Sequence, residues 1–446
     1  MIGTLKIITP IIFYFIGIMF IFVSFSGKVR WTILFITFLL PLQNIIDKLQ
    51  QFPFGKDYID ILLIAMTFGW VVDAAQYKRK TFEKSPINTI AIVLMCYIYL
   101  SLWNGYLYLH YFAPFDLSDP RLKSCKNFLI LPFLYFLTFN NIHDKKWVWR
   151  TFAMMCLSMV FMNYYLLRQI EMFSTITSRD KIHGTFVDLG PNEIAAFYNQ
   201  YSMILLSIIF FMKNNLKKIL LFILFCVNIF CVAFLFSRGA YLGLVAGLFF
   251  LFAIKRKVLL IPLILALLAW QTVLPANVKA RIEMTTNAQG ELDPSAQGRI
   301  IIWEQSISLF KSQPIFGVGY AVFRELGYGL GDTHNIYLKI LTEQGVIGFI
   351  IFLVLIGTLF REGWKLFKRG DDDMSKALGL GFAACIIVLL VNNLFGNRWT
   401  HPVLSSYFWI IAGLVARCNV LADQSNKEQH PNRKKRERSP RLYGRI

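Results

Sequence analysis

Three short segments of this chain carry residues whose chemistry goes beyond packing. They are Ser237-Arg238-Gly239-Ala240, Gly298-Arg299 with Trp303 four positions on, and Asp332-Thr333-His334-Asn335. Arg238 is the only charged residue between Lys218 and Lys255, and an arginine in such surroundings costs roughly 3 kcal/mol at the centre of a bilayer, so it is rarely accidental. Arg299 offers a planar fork of donors that matches phosphate oxygens. Placed at the start of a short helix, it would be joined by backbone N–H groups and a partial positive charge suited to an anion. His334 is the side-chain type most easily tuned to take a proton near neutral pH. Each has a plainer alternative: an interfacial arginine that caps a helix and snorkels to phosphates, a solvated loop arginine, and a hydrogen-bonded structural histidine. Their convergence favours chemistry, because all three are expected on one side of a membrane at similar depth. Together they describe a site for an anionic, lipid-borne substrate, with guanidinium groups for a diphosphate and a base to activate a hydroxyl. Departure of a lipid diphosphate would develop negative charge that preorganised arginines can stabilise without a metal.

The elements that must position these residues are apolar helices. Of 446 residues 56% are hydrophobic and 16% charged, whereas a soluble domain carries about a quarter charged residues. The charges gather between long apolar runs, which read as helices near 7–25, 31–46, 58–73, 87–109, 126–140, 147–170, 193–212, 218–236, 239–254, 258–273, 336–360, 376–396 and 400–418. A span needs about 20 residues. The pattern therefore predicts an all-α integral membrane protein of 12 to 13 transmembrane helices, with 31–46, 58–73 and the break at Ser237-Arg238-Gly239 as the weakest divisions.

Orientation follows from the basic clusters Lys78-Arg79-Lys80, Lys213 to Lys218, Lys255-Arg256-Lys257, Arg361 to Arg369 and the tail around Arg433 to Arg438. By the positive-inside rule these are cytoplasmic. His110 to Lys126, Glu171 to Asn192, Leu274 to Asn335 and the turn Asn397 to His401 then lie outside. The N-terminus is outside with thirteen spans and cytoplasmic with twelve. Leu274 to Asn335 is the longest polar stretch between spans, and a long loop on a rigid scaffold is where function tends to sit. Within it, 298–313 reads as a short amphipathic helix on the membrane surface, broken by Pro314, Gly317 and Gly319. The domain plan is a membrane domain over 1–420, including the loop 274–335, and a disordered basic cytoplasmic tail over 421–446. No cleavable signal peptide is expected, because the apolar run after Lys6 reaches Phe25 and is too long for an h-region.

Several functions are disfavoured. The net charge of +20 could suggest a nucleic-acid binder, but juxtamembrane Lys and Arg explain most of it through orientation and anionic lipid headgroups, so no nucleic-acid partner is expected. The seven cysteines form no CxxC pair, and all but Cys125 fall in or beside apolar runs, as small apolar residues would. No nucleotide-binding glycine loop is visible, and no cofactor is called for. No carboxylates in the outer segments are spaced for a metal; Asp116 and Asp119 read as turn residues beside Pro114 and Pro120. Asp371-Asp372-Asp373 reads as a solvated cytoplasmic loop. A transporter of a lipid-linked sugar or small anion would need polar groups near the midplane of several helices, whereas the ionisable cluster lies on one face. A non-catalytic scaffold for polysaccharide assembly would tolerate replacement of all three residues.

The order and spacing of Ser237-Arg238-Gly239-Ala240, Arg299 with Trp303, Pro314 to Gly319, and His334-Asn335 followed by Gly348 resembles the O-antigen ligase and O-antigen polymerase superfamily. The motifs cover about 236–355, while the N-terminal half is similar only as a string of hydrophobic helices. The resemblance implies a metal-independent glycosyltransferase of the bacterial inner membrane, working at its periplasmic face. Such an enzyme moves a glycan from undecaprenyl diphosphate onto an acceptor hydroxyl of lipid A-core or of a growing glycan. Arg238 and Arg299 match the positions assigned to diphosphate binding, and His334 matches the general base. Gly190-Pro191-Asn192 is a further family-like piece, and Asn192, Trp303, Asp332 and Asn335 are candidate site-lining residues. The superfamily also holds repeat-unit polymerases and protein-glycosylating enzymes; a loop without an extra soluble domain disfavours the protein-glycosylating branch, and between ligase and polymerase the reading leans slightly to the ligase.

Overall fold

A computed structural model describes residues 2–116, 118–173, 175–283, 294–327 and 332–429. Among them the regular structure is helical. The chain opens with α1 (Ile2–Phe25), α2 (Val29–Leu39), α3 (Gln43–Leu49), α4 (Tyr58–Gln76), α5 (Pro86–Tyr108), α6 (Pro120–Asn141) and α7 (Lys145–Phe173). There follow α8 (Pro191–Phe211), α9 (Asn215–Phe234), α10 (Arg238–Lys255), α11 (Leu260–Leu268), α12 (Trp270–Val273), α13 (Ala276–Glu283), α14 (Pro294–Ser312) and α15 (Val322–Glu325). The last three are α16 (Ile336–Arg369), α17 (Asp373–Asn392) and α18 (Pro402–Gln429). Pro86, Pro120, Pro191 and Pro402 each open a helix, where a residue without an N–H costs nothing and its fixed φ favours the first turn.

The chain is a multi-pass helical membrane protein, but among the described residues nine helices are long and apolar enough to cross a bilayer, or ten if α2 and α3 count as one broken span. The difference from 12 to 13 has local causes. The run 31–46 bends by 107° between α2 and α3. The run 258–273 breaks at Ala269 into pieces of nine and four residues. Helices α6 and α7 are long, yet α6 opens with Arg121, Lys123 and Lys126, and α7 carries Lys145, Lys146, Arg150, Arg168 and Glu171.

Helices α8 and α18 are almost wholly buried, and α17 packs against α8, α10 and α16. Helices α1, α9 and α10 wrap the outside and leave Phe15, Phe22, Leu220 and Phe249 exposed, as suits a surface bathed in lipid. Where lipid tails are as apolar as leucine, close packing and interhelical hydrogen bonds bind helices together. Ser207 donates to Ala377 O at 2.7 Å, Tyr201 to Leu404 O at 2.7 Å, and Asn163 to Asn228 at 2.8 Å.

Helix α16 is broken at Gly345, whose φ is +66°. The carbonyls freed there accept from a neighbouring loop: Val318 N bonds Thr342 O and Gly319 N bonds Glu343 O, both at 2.9 Å. Val346 N in turn donates to Pro314 O at 2.9 Å. Irregular backbone survives in a membrane protein only where other protein groups satisfy it. The segment expected merely to end a surface helix thus mends the ladder of a spanning one. Helix α14 itself docks on α16 through buried Ile302 and through Ser306, which bonds Thr342.

The basic clusters share one end of the bundle. Lys213 pairs with Asp373 at 3.0 Å, Lys365 with Asp423 at 2.9 Å and Arg417 with Glu83 at 3.1 Å. Asp371 and Asp372, expected as solvated loop residues, instead both pair with Lys145, and Asp372 also caps α17 by accepting from Ser375 N at 2.7 Å. Cys125, expected outside the apolar spans, is buried within α6. The final helix continues to Gln429, and the remaining tail, including Arg433 to Arg438, lies outside the described residues, as do Glu291 and Asp293 of the long loop.

Candidate active site

At the end opposite the basic clusters, a cavity of about 660 Å³ is bounded by the starts of α8 and α10, by α13 and α14, and by the turns before α16 and α18. Arg238, Arg299, His334 and Asn192 all line it. So do three arginines that the sequence reading did not single out: Arg179, Arg281 and Arg398.

The Ser-Arg-Gly turn is held from behind. Phe236 is fully buried with φ +50°, a left-handed conformation that costs a non-glycine residue energy. Its carbonyl accepts from Arg179 Nη1 at 2.8 Å and from Arg281 Nε at 3.3 Å. Arg179 also donates to Asn192 Oδ1 at 3.0 Å. The two extra arginines therefore fix the backbone that presents Arg238 while adding their own charge to the cavity. Burial together with neighbouring Arg281 pushes the Arg179 pKa down, although a guanidinium stays protonated near neutral pH.

Arg398 is buried beneath the opposite wall. Its guanidinium donates to Asn392 O at 3.0 Å and pairs with Glu193 Oε1 at 3.2 Å. Five arginines thus line the cavity, with Asp180 the only carboxylate in the lining among the described residues, itself 3.3 Å from Arg179 Nε. Such an excess attracts an anion with several oxygens.

His334 stands in the turn before α16 with φ +50°. Burial is the main cause that lowers its pKa, with Arg299 and Arg398 adding to the effect and Asp332 opposing it. The imidazole is therefore neutral at pH 7 and able to accept a proton. Trp303 and Asn335, expected as lining, do not line this cavity. They build the turn: Trp303 Nε1 donates to Thr333 O at 3.0 Å, and Asn335 Oδ1 caps α16 by accepting from Tyr337 N and Leu338 N at 2.9 and 3.1 Å. Asp332 lines an adjoining cavity. Arg299 is not at a helix start, because α14 begins at Pro294 and places it in the second turn. The helix N-terminus consequently adds no anion-binding amides beside it.

Among the described residues, no group of three His, Cys, Asp or Glu side chains is placed to hold a metal ion. One signal for the missed arginines was present in the sequence. Arg179, Arg281 and Arg398 sit in segments that the charge pattern reads as outer, where the positive-inside rule leaves basic residues unexplained.

Residues 220–353 match the family model described as O-antigen ligase. The chain is 25% identical over 122 residues to the exopolysaccharide production protein ExoQ of Rhizobium meliloti, covering 24% of this chain and 28% of that protein. It is 29% identical over 184 residues to an uncharacterized protein of Haemophilus influenzae, covering 35% and 46%. A Rickettsia prowazekii protein whose name describes a polysaccharide ligase is 23% identical over 267 residues, covering 54% and 64%. The chain thus spans from about a quarter to just under two thirds of the length of these relatives. The matched segment holds Arg238, Arg299 and His334, and over it the chain is similar to the O-antigen ligase family.

Proposed function

We propose that this protein is a glycosyltransferase that moves a glycan from undecaprenyl diphosphate onto a sugar hydroxyl at the periplasmic face of the bacterial inner membrane. The observation that carries this reading is the convergence of five arginines and His334 on one cavity. The arginines hold the diphosphate, with Arg238 and Arg299 as its principal clamps. The acceptor hydroxyl attacks the anomeric carbon and His334 takes its proton, while the bond to the diphosphate breaks and the sugar configuration inverts. Negative charge developing on the leaving group falls where fixed guanidinium groups already point, which is how preorganised charge lowers a barrier. Those guanidinium groups supply the charge that a divalent cation supplies in other phosphoryl-leaving reactions, so the proposed mechanism is metal-independent.

The relatives named as polysaccharide ligases support the ligase reading, in which lipid A-core is the acceptor. Purified protein given undecaprenyl-diphosphate glycan and lipid A-core tests this. A ligase yields glycan-bearing lipid A-core, a polymerase yields longer lipid-linked chains, and absence of both products would overturn the reading.

A further inference from the structure

We infer that a second cavity, on the other side of His334, holds the acceptor sugar, and that the ring it receives carries no anionic group. This rests on the glycosyltransferase reading. The cavity encloses about 570 Å³ between the starts of α6, α8 and α18, within the range of roughly 300–1,000 Å³ usual for small-ligand sites. Among the described residues, His334 is the only one that lines both cavities. Elsewhere the Glu193–Arg398 ion pair stands between them, Glu193 facing the second and Arg398 the first.

The two chambers differ in charge. Five arginines against one aspartate line the first, whereas in the second Asp188 and Asp332 balance Lys123 and Arg324, and Glu193 is paired with Arg398. Carboxylates accept hydrogen bonds from adjacent sugar hydroxyls, and a lining without surplus cations gives phosphate or carboxylate substituents no counter-charge to offset their desolvation. Asp332 Oδ1 and His401 Nδ1, both from residues lining this cavity, are buried without a hydrogen-bond partner, and buried polar atoms rarely stay unmatched. They are the positions at which hydroxyls would complete the bonding. A sugar seated there presents a hydroxyl to His334 from the side opposite the diphosphate. Its O–H proton passes to the imidazole, its oxygen bonds the anomeric carbon, and the diphosphate leaves into the arginine chamber with the bonding electron pair.

The experiment is a binding titration of the full-length protein in detergent, using inorganic pyrophosphate and a chemically dephosphorylated lipopolysaccharide core oligosaccharide as separate probes. Asp188 is exposed, so Asp188→Asn should fold normally, and His401→Ala is the second variant. Both should weaken the oligosaccharide at least tenfold while leaving pyrophosphate within twofold, and Arg238→Ala should do the reverse. The phosphorylated oligosaccharide should bind the wild type more weakly than the dephosphorylated one. The inference is overturned if the wild type does not bind the oligosaccharide, if Arg238→Ala alone weakens it, or if the phosphorylated form binds as well. Failure of pyrophosphate to bind, with the oligosaccharide pattern intact, would instead sink the donor reading and support the sugar site.

Discussion

Trp303 donates a 3.0 Å hydrogen bond to the carbonyl of Thr333, the residue immediately before His334. The bond joins the helix that carries Arg299 to the turn that carries the proposed base. Trp303→Phe keeps the ring's bulk and removes the donor, leaving a carbonyl beside buried Thr333 unmatched at a cost of about 1–3 kcal/mol. We expect kcat to fall severalfold or more, with little change in the KM for donor, in a steady-state assay of the purified variant.

The pH profile of kcat/KM should report His334. Because burial lowers its pKa below the ordinary value of 6.5, the neutral, proton-accepting form persists to lower pH than for a free histidine. Activity should therefore decline on acidification with a midpoint below 6.5. A decline centred above 6.5 would point to a different base or to a protonated His334.

Charge in the arginine chamber should appear as a ligand effect on stability. Inorganic pyrophosphate binds the folded state, and at a hundred times its dissociation constant it would add about 2.7 kcal/mol. A raised thermal midpoint in the wild type, reduced in Arg238→Ala and Arg299→Ala, is the expected result. Each of these variants should also lose roughly 10²–10³ in kcat, the usual effect of removing one group that stabilises a developing anion. Addition of a chelator should leave turnover unchanged.

Gly345 combines φ +66° and ψ −168°, a region essentially reserved for glycine. A Cβ added there would lie 2.2 Å from Ile315 O. Gly345→Ala should therefore lose the pairing of α16 with the loop 314–319, and monodisperse protein recovered by size-exclusion chromatography should drop sharply. Ala at Gly357, where an added Cβ meets nothing within 4 Å, serves as the silent control.

The helical membrane class was legible in the sequence because apolar runs and basic clusters are one-dimensional features. Each of the thirteen runs falls on helix, but hydropathy could not show that 31–46 folds back on itself or that 258–273 breaks, since both depend on what packs beside them. Arg238, Arg299 and His334 were legible as chemically unusual residues in short motifs. Arg179 and Arg398 carried only the weaker signal of basic residues in segments read as outer, and their place in one cavity depends on the bundle bringing the turns together. Asn335 looked like a ligand-facing amide, and its capping of α16 became evident only once the helix start was placed. The loop 314–319 read as punctuation, whereas its pairing with Thr342 and Glu343 is a tertiary relation that no local pattern reveals.

In the proposed mechanism His334 accepts the acceptor's proton beside an arginine-held diphosphate. Purified wild type and His334→Ala should be compared for glycan transfer from undecaprenyl diphosphate to lipid A-core, with pyrophosphate binding measured on the same samples. His334→Ala should bind pyrophosphate like the wild type yet transfer more slowly by about 10²–10⁴-fold, the usual contribution of a general base. Transfer by His334→Ala within a fewfold of the wild type would contradict it.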